Sequence, residues 1–368
     1  VGALPDNTPP EVSVIVPAYD AQGTLARTLE SLRAQTHPHW EAVVVDDGSA
    51  DATGEVAAAF ARRDARIRAV SQAHAGVGAA RNRAIGMARF DWLLCLDADD
   101  WLDPSALERL TAPLAADDAP DAVYGGWARV GGGGEVLLTH HWERPSELFP
   151  AFARVCALPT LACVVRRPLV RGVGAYDASL VTCEDWDLWQ RIARTGARFE
   201  AIPELVAFYR LSARSASLDP WQVLADGLRV IERGHSPDPR VPVPHPAHAA
   251  GAPAGELSGA RLSFACWPAG LLLGEGREAT QVLQELEAGS VAGLDPHEAA
   301  ELLFAAVSLT ADGRPADWLT LWPFVDHRLD RFLAALEERA AQEGLARSVR
   351  TALERFARER TGRPAATW

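Results

Sequence analysis

Over the first hundred residues, unbroken apolar runs alternate with stretches in which apolar side chains return every three or four positions. Val12-Ser13-Val14-Ile15-Val16, residues 42–45, residues 67–70 and Trp92-Leu93-Leu94-Cys95-Leu96 have the character of short strands buried on both faces. Between them, residues 24–34 carry Leu25, Leu29 and Leu32 at helical spacing, and 52–63 and 77–88 also have helical character. This alternation predicts a parallel sheet covered by helices, an α/β architecture whose ligand crevice lies beyond the carboxyl ends of the strands.

After a helix near 104–114 the texture changes. Strands at 122–130 and 135–139 flank the hairpin-like Gly131-Gly132-Gly133-Gly134, and strands at 161–165, 199–202 and 206–210 complete a mixed sheet. Pro237, Pro239, Pro242, Pro244, Pro246 and Pro253 exclude helix and central strand from 236–253, which reads as an extended linker with His245 and His248 in solvent. Helical spacing returns at 279–287, 296–309, 328–343 and 345–360, with Trp318, Trp322 and Phe324 expected in their core. The organisation expected is an extension over 1–10, an α/β domain over 11–215, a helix and Pro-rich linker over 216–255, and a smaller α-helical domain over 256–368.

The chemistry gathers at strand ends. Asp97-Ala98-Asp99-Asp100 closes the fourth strand, and carboxylates this close repel one another unless a cation lies between them. Capping of the next helix accounts for one of the three; hard oxygens so spaced suit Mg²⁺ or Mn²⁺ beside a phosphate. Asp46-Asp47-Gly48-Ser49 closes the second strand, either as an Asx-turn or as a ligand contact that Gly48 brings close. Gly76-Val77-Gly78-Ala79-Ala80-Arg81 opens a helix and presents Arg81 to a phosphate, a base or solvent. Arg81 stands where a dinucleotide fingerprint needs its third glycine, so that motif is absent. In Thr182-Cys183-Glu184-Asp185-Trp186-Asp187, Thr182 and Asp185 have capping-box spacing, and a carboxylate at a helix start can also serve as a general base.

Charge and cysteine content narrow the partners. Lys and Arg number 36 against 49 Asp and Glu, a net −13 that disfavours nucleic acid and anionic membranes. Five cysteines, an odd number without CxxC spacing, point to a reducing, cytoplasmic setting. Cys183 beside Glu184 is a poor nucleophile, since a carboxylate raises a thiol pKa. No secretory signal pattern occurs, and the longest apolar run, 262–273, is broken by Ser263, Pro268 and Gly270. Peripheral attachment at the inner face of a membrane stays open.

In order, Val14-Ile15-Val16-Pro17-Ala18-Tyr19, Val45-Asp46-Asp47-Gly48-Ser49, Gly78-Ala79-Ala80-Arg81-Asn82, Asp97-Ala98-Asp99-Asp100 and Glu184-Asp185-Trp186-Asp187-Leu188-Trp189 resemble the family 2 glycosyltransferases of GT-A fold, over about 11–215. The resemblance implies a nucleoside-diphosphate-sugar donor, a UDP-sugar first of all. Pro17, Ala18, Tyr19 and Asp47 would hold the base, Arg81 would lie near the nucleotide, and Asp97 with Ala98 would meet the ribose or sugar. Asp99, with Asp100 assisting, would ligate Mn²⁺ or Mg²⁺. Asp185 would be the catalytic base, with Glu184 shaping the site. The implied reaction is inverting, metal-dependent and non-processive transfer to a hydroxyl on a glycan, lipid-linked sugar, peptide or small molecule.

The sequence departs from the family pattern at three places. Asp20 replaces the usual Asn, Gln22 an acid, and Leu211-Ser212 follow Tyr209-Arg210 where many members carry a His, so the third protein ligand of the metal is unassigned. No Gln-x-x-Arg-Trp motif points to a processive synthase. The alternative is an inactive GT-A-fold scaffold acting through its C-terminal helices, through which homo-oligomerisation also stays open.

Overall fold

Every residue of β1 (Val12–Ala18) is buried, which is why its sequence shows no alternation of polar and apolar positions. The structure, a computed structural model, describes residues 10–131, 134–140, 148–212, 215–286, 293–309 and 318–360. After β1 come α1 (Leu25–Arg33), β2 (Trp40–Asp46), α2 (Thr53–Arg63), β3 (Ile67–Ser71), α3 (Val77–Met87) and β4 (Trp92–Cys95), the predicted alternation. Leu25, Leu29 and Leu32 of α1 are fully buried, each worth about 2 kcal/mol. Thr24 makes no side-chain cap bond, so packing holds this helix.

The second half of the domain adds β5 (Trp101–Leu102), α4 (Ala106–Thr111), β6 (Ala122–Val130), β7 (Val136–His140), α5 (Leu148–Phe152), β8 (Cys163–Arg166), α6 (Arg167–Gly172), α7 (Glu184–Arg194) and β9 (Phe199–Arg210). The sheet order is β3-β2-β1-β4-β8-β6-β9-β5, with β7 paired to β6. β1 pairs in parallel with β2 and with β4, so the winding direction reverses at β1. A crevice at the carboxyl ends follows from that reversal. β8 then runs antiparallel to both β4 and β6, while β6 and β9 are parallel, making the sheet mixed.

The helical C-terminal region comprises α8 (Pro220–Gly234), α9 (Leu257–Gly274), α10 (Gln281–Gln284), α11 (Pro296–Val307), α12 (Trp318–Ala340) and α13 (Leu345–Arg360). α8 and α9 touch where Gly227 lies: a Cβ there would fall 2.1 Å from Phe264 Cζ. Phe264 in turn packs on Trp186 of α7, ring centroids 5.3 Å apart, which joins the helices to the core of the sheet domain. No helix among the described residues is long and apolar enough to cross a membrane.

Several expectations are corrected. Residues 236–253 are not a free linker. Val241 is buried, His245 N donates to Arg194 O at 2.9 Å, and Arg194 Nη1 donates to Ser236 O at 2.8 Å. The prolines do exclude α-helix, leaving one 3-10 turn at Pro246–His248, and carbonyls left without helical partners are met by a buried arginine. His245 is exposed as expected; His248 is half-buried against Phe149, centroids 4.8 Å apart. The two strands expected at 199–202 and 206–210 are one, β9, with register shifts against β6 around Gly126. The helix expected at 279–287 shrinks to α10, although Val282, Leu283 and Leu286 are all buried. The side chains of Trp318, Trp322 and Phe324 lie outside the described part, as do residues 1–9.

Candidate active site

Two loops at the carboxyl ends of β1 and β2 are laced together by the residues that depart from the family pattern. Asp20 N donates to Ser49 Oγ (3.0 Å), and Asp20 Oδ1 accepts from Ala50 N (2.9 Å). Gln22 N donates to Asp51 Oδ2 (3.0 Å), and Gln22 Oε1 accepts from Ala52 N (3.1 Å). Pro17 and Ala18 are buried beneath, and Tyr19, 50% exposed, lies on His74 with centroids 4.3 Å apart. Gly48, at φ 76°, makes the turn; a Cβ there would meet His74 N at 2.8 Å.

Asp47, assigned to the base by resemblance, has its carboxylate turned to the chain itself. It accepts from Gln72 Nε2 (2.6 Å), Ala75 N (3.0 Å) and Gly76 N (2.8 Å), with His74 Nδ1 at 3.0 Å. Here Asp47 fixes the loop that leads into α3.

Arg81, on the first turns of α3, is 3% exposed and sits between two carboxylates. Its Nη2 donates to Asp97 Oδ1 at 2.7 Å and its Nη1 to Glu184 Oε1. Burial works against the charge, but Asp97 and Glu184 more than offset it and hold the guanidinium well above its usual pKa. The sequence reading offered Arg81 to a phosphate, a base or solvent; its two outer nitrogens are committed to carboxylates. Arg81 therefore ties the end of β4 to the start of α7.

The acidic cluster is crowded. Burial first, and the Asp97 charge second, push Asp99 up to about 6. Burial, Asp99 and Asp97 together raise Asp100 well above the carboxylate range. Asp100 is 1% exposed; its Oδ1 accepts from Arg210 N at 2.8 Å, while its Oδ2 is buried without a partner. Ala98 is buried, and its carbonyl accepts from Thr28 Oγ1 at 3.0 Å. Neighbouring carboxylates with an orphaned oxygen fit a hard divalent cation. Among the described residues no group of three His, Cys, Asp or Glu side chains is arranged to hold a metal, so other oxygen donors would complete a shell.

α7 begins differently from expectation. The capping box does not form: Cys183 precedes the helix at φ 60° without a side-chain cap bond, and Thr182 Oγ1 lies 3.2 Å from Asp226 Oδ2. Asp226 also accepts from Val181 N and Thr182 N, both at 3.0 Å, and so fixes the approach to the helix. Trp186, fully buried, donates from Nε1 to Phe152 O at 2.6 Å and anchors the first turn. Glu184 and Asp185 are thereby held at the helix start beside Arg81. Asp185 is half-buried, and its Oδ1 accepts from Trp186 N at 2.7 Å. Burial, then the Glu184 charge, push its carboxyl up to about 7, with Arg81 opposing. Such a group can accept a proton near neutrality.

The site also uses residues that sequence reasoning did not single out. Asp187, fully buried, pairs with Arg191 (2.7 Å), Arg233 (2.9 Å) and Arg240 (2.8 Å), which lock α7 in place. The Asp187–Arg191 spacing of four was a signal for one of these pairs. Nothing local marked Arg233 or Arg240.

Residues 13–165 match the family model described as Glycosyl transferase family 2. EpsH of Bacillus subtilis (strain 168), named as a glycosyltransferase, is 37% identical over 119 residues, 32% of this chain and 34% of that protein. The chain thus spans about a third of that relative's length. TuaG of the same organism, named for a glycosyltransferase of teichuronic acid biosynthesis, is 27% identical over 233 residues, 62% of this chain and 91% of its own. Among solved structures, the mannosyltransferase PcManGT from Pyrobaculum calidifontis, in complex with GDP-Man and Mn²⁺, superposes with a TM-score of 0.50 at 20% identity. That superposition covers 93% of this chain and 91% of PcManGT, a likeness of fold. The mixed sheet flanked by helices, with its switch point at β1, is GT-A-like, and the match to the family 2 glycosyltransferase model falls on its first eight strands.

Proposed function

We propose that the chain transfers a sugar from a nucleoside-diphosphate sugar, a UDP-sugar first of all, to a hydroxyl acceptor with inversion at the anomeric carbon. The observation that carries this reading is the Arg81 bridge. One guanidinium holds Asp97 of the acidic cluster and Glu184, the neighbour of Asp185, so cluster and base border one crevice. Asp185 takes the proton of the acceptor hydroxyl, and that oxygen attacks the anomeric carbon opposite the diphosphate. The bond from that carbon to the diphosphate oxygen breaks, and the electron pair leaves with the nucleoside diphosphate.

Tyr19, backed by His74, offers its exposed ring to the base, on a loop that Pro17, Ala18 and Asp47 hold in shape. Asp97 lies toward the ribose or sugar. Asp99, with Asp100 behind it, would hold Mn²⁺ or Mg²⁺ together with water and the donor diphosphate. When bound, such an ion offsets charge on the departing diphosphate. The Mn²⁺ and GDP-Man carried by PcManGT support this assignment. We assign the catalytic unit to 11–215 and a helical unit, packed against it through Phe264, to 256–368, with 216–255 between them. All five cysteines are free thiols, which supports a cytoplasmic setting.

Asp185→Asn tests the base. A positioned general base is worth about 10²–10⁴-fold, so turnover should fall by at least about 10² while nucleotide affinity measured by calorimetry stays within about twofold. Wild-type turnover in this variant would remove Asp185 from the role.

A further inference from the structure

Arg129, half-buried, stands apart from the other buried and half-buried arginines. It lies two residues from Trp127 on β6, so both side chains leave the same face of the sheet. Its guanidinium carbon is 5.4 Å from the centroid of the Trp127 ring and 5.6 Å from that of Trp267 on α9. Arg81, Arg191, Arg194 and Arg240 all meet carboxylate or carbonyl oxygens. Among the described residues no carboxylate pairs with Arg129, and its Nε is buried with no hydrogen-bond partner. Burial accordingly depresses its affinity for a proton. The two rings compensate part of the charge through their faces. They leave Nε unmet, one donor of a planar fork that matches the oxygens of a phosphate or carboxylate.

Its place in the sheet separates Arg129 from the donor's nucleotide. Tyr19 and Asp47 lie at the ends of β1 and β2, whereas β6 lies two strands beyond β4 in the other direction. Arg129 faces Tyr209 in the β6–β9 register, and Arg210, the next residue on β9, donates from its backbone N to Asp100 Oδ1 at 2.8 Å. The guanidinium is therefore one side chain removed from the acidic cluster, on the side away from the base.

We infer that Arg129 is a specificity-determining residue that receives an oxyanion, a phosphate or a carboxylate, carried by the acceptor. This rests on the glycosyl-transfer reading. Trp127 and Trp267 orient the guanidinium, and the acceptor's anion supplies the counter-charge that no described residue provides.

The test uses the whole chain and two matched pairs of probes, glycerol 3-phosphate against glycerol and glucuronate against glucose. Binding is measured by calorimetry with UDP and Mn²⁺ present, and UDP–Mn²⁺ affinity is measured separately. The wild type should bind at least one charged probe about tenfold more tightly than its neutral partner, and whichever pair shows the preference identifies phosphate or carboxylate. Arg129→Met should erase that preference and leave UDP affinity within about twofold; Arg129→Lys, a charge without the fork, should keep part of it. Equal affinity for charged and neutral probes in the wild type overturns the inference. So does a loss of UDP affinity in Arg129→Met, which would put the residue on the donor diphosphate. Should Arg129→Met not fold, the wild-type comparison and Arg129→Lys decide. A wild type that binds no nucleoside diphosphate at all defeats the glycosyl-transfer reading itself, a separate outcome.

Discussion

Glu184→Gln isolates the electrostatic tuning of the base. Glu184 is almost buried, and its Oε1 accepts from Arg81, a bond that a glutamine oxygen can keep. What changes is charge. Asp185 is held at about 7 by burial and then by Glu184, against the pull of Arg81. Neutralising Glu184 removes a repulsion and frees more of the Arg81 field, so both effects favour the Asp185 carboxylate. Like charges on adjacent residues, at an effective dielectric of roughly 20, interact by on the order of 1.5–3 kcal/mol. Asp185 is partly exposed, so the lower end applies, about one pH unit. A general base works deprotonated, hence kcat rises with pH through its pKa, and the acid limb should move from about 7 to about 6. At pH 6 the active fraction would grow from roughly a tenth to roughly a half, about fivefold relative to the plateau. The plateau should drop modestly, because a weaker base transfers the proton less readily. The assay is release of nucleoside diphosphate from pH 5 to 9. A limb that stays in place, or moves to higher pH, refutes the assignment of Glu184 as the charge that tunes Asp185.

Asp99→Ala should weaken nucleotide-sugar binding and abolish its dependence on Mn²⁺; calorimetry that finds unchanged, metal-dependent affinity counts against Asp99 as a ligand. Arg240→Met should cost about 3–5 kcal/mol: Arg191 and Arg233 still meet Asp187, but the buried carboxylate of Asp238 loses its ion-pair partner. Thermal unfolding reads that loss. Amide exchange should quicken across 236–253 and not in β1, and equal exchange across 236–253 in wild type and variant would show that Arg240 does not hold this segment.

The first four strands and three helices are legible because each answers to its own local pattern. A strand buried on both faces must be apolar throughout, as Val12–Val16 is, and a helix with one buried face must repeat as Leu25, Leu29 and Leu32 do. The site's location follows from the same pattern, since carboxylates at the ends of β2 and β4 must meet at a parallel sheet's switch point. β9 is less legible: Pro203 and Glu204 break the apolar run, yet the strand continues through shifts in register that no local spacing encodes.

What the sequence withholds is how charges are paired. Arg81, Arg191, Arg194, Arg240 and Arg129 look alike in sequence, each a cation near apolar or acidic neighbours. In the fold Arg81 bridges residues 16 and 103 positions away, and Arg240 reaches back 53 positions to Asp187. Such pairs have no period, because a buried charge is satisfied by whichever oxygen the fold brings near. The proline-rich segment shows the consequence. Its composition excludes α-helix, as expected, yet Arg240 and the backbone carbonyls offered to Arg194 pin it to α7, the helix that carries Asp185. The stretch that looked most like a spacer therefore buttresses the proposed base, and substitutions there should act on catalysis through the seating of α7 rather than through contact with substrate.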